Sequence, residues 1–422
     1  MIEKPALLGG SPAVNLSDET ISDAFAWPHL GREELDAISR LFADRNISTH
    51  PVIGELEDAY AKFSDRQHAV AHCNGTSALM AAFWSLGLEP GDRIFVPSAT
   101  FWASVLPMMW MGLVPVFCES ESGRLGLDID DLRAKWDPRV KAMVIVPLWG
   151  VPPDYDELLA FAREKNLRVI EDASHAHGAT YRGKPCGSFG DVSVFSLQGD
   201  KLAPAGEGGM FLTNDHELYE RAICLGDITR IFRLDSTARR FAATSFGIKT
   251  RIAPVSAAIG LCQLRKLPDA NALRRANLIR LSEALAGYGF DVYPDLLHTS
   301  RVFFEFLIRW KEGPLDLAGW REALIAEGCQ AAQPRYPLLH EQPFFTEGAF
   351  EKILRLPPEE MPVYRDLRLP RTAELNGSLL KLPSFPNDCP DVVAAYLRAI
   401  HKVGTHQEEI AAFLGERIGK VP

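Results

Sequence analysis

Short apolar runs alternate with amphipathic stretches through the first two thirds of the chain. LVPVFCE, KAMVIVPLWG and LRVIED read as strands, and DIDDLRAKW and DYDELLAFAREKN between them have helical character. LRVIEDA is apolar and β-branched, the pattern of a strand buried on both faces. Strands separated by helices of this length predict a parallel sheet with right-handed crossovers. HAVAH reads as a further strand, followed by an Asn74-Gly75 turn and a helix with Leu79, Ala82, Phe83 and Leu86 on one face and Gly87 as its stop. GDRIFVPSATFWAS reads as strand, turn, then a helix interrupted at Pro107, and GREELDAISRLFADR as a helix with Leu35, Ile38 and Phe42 on one face. GDVSVFSLQ is a strand of alternating character, and DHELYERAICLGD a helix.

The pattern changes after AAIGLCQLRKLP. ANLIRLSEALAGYG is helical, RVFFEFLIRW alternates like a strand of an antiparallel sheet open to solvent on one face, and DLAGWREALIAEGC is a helix capped by Asp316 and stopped at Gly328. CPDVVAAYLRAIHKV starts a helix near Pro390, with Val393, Leu397 and Ile400 on one face. The expected architecture is α/β: residues 1–270 form an N-terminal segment and a large, mainly parallel-sheet unit, and residues 271–422 a smaller α+β unit. Segment 348–372 is irregular, and its purpose is not readable from its pattern.

Composition narrows the class. A chain of 422 residues, 47% hydrophobic and 24% charged, is long enough for a large core. Its net charge of -10 argues against a nucleic-acid surface. The most apolar run, AMVIVPLWGV, falls short of the roughly 20 residues that span a bilayer, and MIEKPALLGGSPAVN lacks the basic and apolar regions of a signal peptide, so a cytoplasmic protein without membrane contact is expected. Seven cysteines, odd in number and without a CxxC pair, suit reduced thiols better than disulfides or a zinc site, and no metal is expected.

Two stretches carry candidate chemistry. The strand LRVIED ends on Glu171 and Asp172, and ligands of open α/β sheets sit at such carboxyl ends. Lys201 follows GDVSVFSLQ in a turn bounded by Gly199, Gly206, Gly208 and Gly209 and can reach a pocket there. Strand, glycine turn and helix start at NGTSAL make an anion site, because unpaired amides and the positive end of the helix dipole face outward. Each residue also has an ordinary reading: a solvated lysine, an aspartate or Thr76 as a helix cap, Phe101 as core.

Their joint spacing decides. EDASHAHGA, GSFGDVSVFS, a lysine five residues after the serine, and GEGG follow one another over some forty residues in the order and spacing of the DegT/DnrJ/StrS group of sugar aminotransferases, which the chain resembles over most of residues 30 to 405. These are fold type I enzymes dependent on pyridoxal 5'-phosphate (PLP), a cofactor that needs a lysine for a Schiff base and a carboxylate at its ring nitrogen. The resemblance implies Lys201 as that lysine and Asp172 as that carboxylate. It also implies His175 at the ring hydroxyl, Gly75, Thr76 and Ser196 at the phosphate, and Phe101 stacked on the ring, with Trp102 left as packing and Glu207 of GEGG as a turn residue. QPRYPLLHEQPFF resembles a segment beside the substrate, which makes His340 a substrate candidate; the alternative is a structural histidine.

Two positions depart from the family. Lys249 stands where an asparagine commonly reaches the phosphate of the neighbouring subunit, and a cation suits that phosphate; the alternative is a surface lysine. Gln198 replaces a common histidine, nearer to members acting on cyclitols or to the aminohydroxybenzoate-forming branch, and is a substrate candidate. The resemblance implies a homodimer that moves an amino group from glutamate or glutamine to a keto-sugar or keto-cyclitol, in amino-sugar, aminocyclitol, antibiotic or other natural-product biosynthesis. The alternatives are an aminohydroxybenzoate-synthase-like enzyme and a non-catalytic regulator on the same fold. A regulator is expected to lose Asp172 or Lys201, and a dehydratase of the family carries histidine in place of the lysine.

Overall fold

The computed structural model describes residues 3–292 and 296–418, so the outer limits expected for the two units, Met1 and Pro422, lie outside the described residues. Seven strands form the central sheet: β1 (His68–His72), β2 (Arg93–Pro97), β3 (Val114–Cys118), β4 (Val140–Ile145), β5 (Arg168–Asp172), β6 (Val192–Ser196) and β7 (Gly209–Thr213). Their order is β1-β7-β6-β5-β4-β2-β3. β3, β2, β4, β5 and β6 run parallel, and β7 lies antiparallel between β6 and β1. This matches the expected α/β class, and helices Ile129–Lys135 and Tyr155–Lys165 make the crossovers from β3 to β4 and from β4 to β5.

β6 is more buried than its alternating sequence suggests. Ser193, on its polar face, is fully buried and donates to the Gly187 carbonyl, so the hydroxyl is satisfied without water. Pro107 does not interrupt a helix; it sits in the first turn of the short helix Leu106–Met109, where a missing amide costs nothing. The helix after β1 spans Gly75–Ser85, and its cap is Asn74, whose side chain accepts from the Ser77 amide, not Thr76.

Helix Arg32–Ala43 turns the other way from the expected one. Leu35 and Phe42 are 62% and 65% exposed, while Glu34 is buried. Glu34 accepts from the Gly31 amide and from Gln263 and Lys266 of the long helix Pro254–Ala286, so the face that carries Glu34 packs on that helix and Leu35 and Phe42 point away.

Residue 270, where the two units are expected to divide, falls inside the long helix, two residues after Pro268. Two apolar cores are present, but they do not split the chain there. Val14 and Ala24 pack with Leu281, Ile308, Trp320, Leu380 and Tyr396 in the second core, and Leu339, Phe350, Leu354 and Tyr364 join the first. The sheet of the second core pairs Phe290–Val292, Phe306–Trp310 and Leu379–Leu382 antiparallel. Its middle strand is buried at Phe306, Leu307 and Ile308 and is not open to solvent on one face. Segment 348–372 gains a purpose from its placement: Phe350 and Tyr364 pack with Phe345 and Phe117, and Tyr364 donates to the Pro115 carbonyl at 2.7 Å, covering the edge strand β3.

Candidate active site

The parallel strands deliver their carboxyl ends to one cavity of about 570 Å³. It is lined by Asp172 from the end of β5, Ser196 from the end of β6, and Gly75 and Thr76 from the helix after β1. Phe101, His175, Gln198 and Lys201 line it too. Lys249 and His340 do not. Lys249 is exposed and outside the cavity of its own chain. His340 is 1% exposed and bonded to the Ser98 hydroxyl at 2.7 Å, a core position outside the cavity.

Asp172 is fixed on both oxygens. Ser104 donates its hydroxyl to Oδ2 at 2.6 Å and the Ser174 amide reaches Oδ1 at 3.3 Å. Lys201 is 8% exposed, with its Nζ 4.4 Å from the centre of the Phe304 ring. Burial pulls the amine down to about 8, Asp172 opposes this, and the charge of Arg335 adds to it. His175 is held well below its ordinary value by burial and by the charges of Lys201 and Arg335, so the ring is neutral. Its Nδ1 accepts from the Trp149 amide at 3.4 Å, which leaves the proton on Nε2, 3.4 Å from the Tyr336 hydroxyl.

At the far end, the helix start is bare backbone. A Cβ on Gly75 would lie 2.7 Å from Ser196 Cβ, and one on Gly209 of β7 2.4 Å from the Asn74 carbonyl oxygen, so glycine is required at both positions for the turn to sit on the sheet. First-turn amides have no partner inside their helix; Asn74 takes that of Ser77, and those of Gly75 and Thr76 lie at the cavity.

These residues fit PLP. A buried carboxylate suits the ring nitrogen, a buried amine of lowered pKa the aldehyde, bare amides with the Ser196 hydroxyl the phosphate, and the partly exposed Phe101 ring one face of a flat heterocycle.

Several lining residues escaped the sequence. Ser104 has no spacing signal relative to Asp172. Arg335 and Tyr336 lie in QPRYPLLH, the stretch that also holds His340; the segment is legible in the sequence and its lining residues are not. Trp102 is 44% exposed and lines the cavity instead of packing, and Glu207 lines it as well. Trp27, far away in the chain, donates Nε1 to the Lys201 carbonyl at 3.1 Å. A larger cavity, about 980 Å³, has apolar walls including Phe83, Trp84 and Phe246 and contains neither Lys201 nor Asp172, so the chemistry belongs to the smaller one. Among the described residues no group of His, Cys, Asp and Glu could hold a metal ion, and no helix is long and apolar enough to cross a membrane.

Comparison with known proteins agrees with this geometry. The sequence model of the DegT/DnrJ/EryC1/StrS aminotransferase family matches residues 28–381. The chain is 39% identical over 318 residues to GDP-perosamine synthase of Caulobacter vibrioides, covering 75% of this chain and 84% of that one. It is 32% identical over 332 residues to L-glutamine:2-deoxy-scyllo-inosose aminotransferase of Streptoalloteichus tenebrarius, covering 74% and 78%. The solved aminotransferase from Psychrobacter cryohalolentis superposes with a TM-score of 0.80 at 26% identity, covering 90% of this chain and 99% of that one. A buried lysine and a fixed carboxylate in one cavity, on a fold shared with these enzymes, make this chain a member of the DegT/DnrJ/EryC1/StrS family of PLP-dependent aminotransferases.

Proposed function

We propose that the protein moves an amino group from glutamate or glutamine to the ketone of a sugar or cyclitol, in the biosynthesis of amino sugars, aminocyclitols or natural products that carry them. The observation that carries this reading is the placement of Lys201 and Asp172 in one cavity. The acceptor class follows the two relatives, one named for perosamine and one for an inosose, and the second is named for glutamine as donor.

When bound, PLP supplies an aldehyde carbon that takes up an amino group and a ring that spreads the electrons left by a departing proton. Asp172, held by Ser104 and Ser174, would present its carboxyl group to the ring nitrogen. Lys201 Nζ, whose pKa lies near 8, both accepts and returns a proton near neutral pH. His175 offers a neutral Nε2–H to an oxygen on the ring. Gly75, Thr76 and Ser196 would hold the phosphate and Phe101 would stack on the ring, with Trp102 and Tyr336 lining the cavity beside Phe101.

A homodimer in the cytoplasm is part of the proposal. Leu30, Leu35, Phe42 and Ile47 are each more than half exposed in the single chain, an apolar surface suited to a second copy. In that dimer Lys249 reaches the phosphate of the neighbouring subunit. Nitrogen-15 glutamate or glutamine, incubated with the PLP-loaded protein and a panel of nucleotide-linked keto-sugars and keto-cyclitols, tests the reading. One acceptor should gain labelled nitrogen by mass spectrometry; if none does while the donor is deaminated, the acceptor class is wrong.

A further inference from the structure

Lys201 and Arg335 share one aromatic ring. The Lys201 amine lies 4.4 Å from the centre of Phe304 and the Arg335 guanidinium carbon 5.6 Å from it. Two cations converge on one ring only when something holds the second against their repulsion. Arg335 is held on both sides: NH1 lies 3.1 Å from Asp200 Oδ2, and Nε lies 2.6 Å from Glu305 Oε1. Glu305 is 3% exposed and is gripped again by Lys381 at 2.8 Å, from the outer strand of the second sheet. Asp200 is the residue before Lys201, and Glu305 follows Phe304 directly.

We propose that Arg335 is a positioning residue for Lys201: by bridging Asp200 to the buried Glu305 it locks the lysine turn to the second core, seats the amine on Phe304, and holds a positive charge beside it. This rests on Lys201 being the cofactor lysine.

The main chain at Lys201 is secured without Arg335. Its amide donates to the Gln198 carbonyl at 2.8 Å, and its carbonyl accepts from Trp27. Loss of Arg335 therefore removes the turn's tie to the second core without unfolding its main chain, and changes what the amine faces. The groups around that amine are Asp172 at the end of β5, the neutral His175 and His177 after it, Asp200 in its own turn, and Glu305 and Arg335 from the second core side. Burial lowers the amine most, the three carboxylates raise it, and Arg335 is the cation that lowers it. Without Arg335 the balance shifts toward the ammonium, which cannot attack an aldehyde.

Capture of PLP by the cofactor-free protein reads this directly and needs no turnover. Protein and PLP are mixed at a series of pH values, quenched with borohydride at short times, and the pyridoxyl adduct on the Lys201 peptide is counted by mass spectrometry. The wild-type rate should rise with pH through a midpoint near 8. In Arg335→Gln the midpoint should move up, so that capture at pH 7 falls about threefold to tenfold relative to capture at pH 9.5, the change that half to one unit of pKa brings. Arg335→Lys, which keeps the charge, should return the midpoint toward wild type. Circular dichroism checks the fold, and Arg335→Met replaces the Gln variant if that one is unfolded. An Arg335→Gln or Arg335→Met profile with the wild-type midpoint, whatever its height, overturns the proposal. An adduct on another lysine in the wild type overturns the assignment of Lys201 instead, so the two failures are told apart.

Discussion

Ser104 Oγ donates to Asp172 Oδ2 at 2.6 Å, with both residues almost fully buried. Ser104 comes from the loop after β2, and Asp172 ends β5, two strands away across β4. The bond fixes the carboxylate proposed here as the partner of the cofactor ring nitrogen, and a hydrogen bond to a charged buried group is among the stronger ones available to a side chain.

Ser104→Ala should therefore slow turnover by about tenfold to a hundredfold, the equivalent of roughly 1.5–3 kcal/mol. The KM for the acceptor should stay nearly constant, because Ser104 acts through Asp172. Asp172→Asn should let PLP bind and slow transamination by orders of magnitude, because an amide leaves the ring a weaker sink for electrons. Steady-state kinetics on both variants decides; unchanged turnover in Asp172→Asn removes Asp172 from the site.

Glu171, next to Asp172, points into the core and accepts from Tyr155 and from the amides of Gly187 and Phe189. Burial pushes its carboxyl up to about 7 against those bonds. The folded state then holds more protons than the unfolded state between about 4.5 and about 7, so this group's contribution to stability is intact below that window and falls as pH rises through it. Thermal melts of wild type and Glu171→Gln from pH 5 to pH 8 should show the wild type losing this contribution and the variant a flatter profile. Parallel profiles would show that Glu171 stays ionised throughout.

His340 is in the core, bonded to Ser98. His340→Ala should lower the melting temperature and leave the acceptor KM unchanged in the protein that remains folded. A selective rise in KM without loss of stability would return His340 to the substrate site.

Lys249→Ala should weaken PLP binding by about tenfold to a hundredfold if the lysine crosses to the neighbour's phosphate, the loss of one charge-assisted hydrogen bond. A heterodimer of a Lys249→Ala chain and a Lys201→Ala chain separates the cases. The site that keeps Lys201 also receives the wild-type Lys249 of the other chain, so it should bind PLP normally; weak binding there means Lys249 acts within its own subunit.

The legible parts of this chain were those set by local pattern. The strand ending at Asp172 declares itself by a continuous apolar run, and Lys201, Ser196 and His175 stand out only because the motifs around them resemble the family's. The illegible parts were set by distant partners. Glu34 turns its helix around because Gln263 and Lys266 face it, and Val14 and Ala24 join a core built mostly from the other end of the chain. Ser104, Trp27 and Arg335 reach Asp172, Lys201 and Asp200 from far away in sequence, and no period of the hydrophobic pattern encodes such meetings.

The central claim is that Lys201 is the amine that holds the cofactor. Borohydride reduction of the PLP-loaded protein, followed by proteolysis and mass spectrometry, tests it in one step, with Lys201→Ala as the paired sample. The account predicts one pyridoxyl adduct, on Lys201, and a folded Lys201→Ala protein with neither adduct nor aminotransfer. An adduct on another lysine, or a Lys201→Ala variant that keeps its imine absorbance and activity, would contradict it.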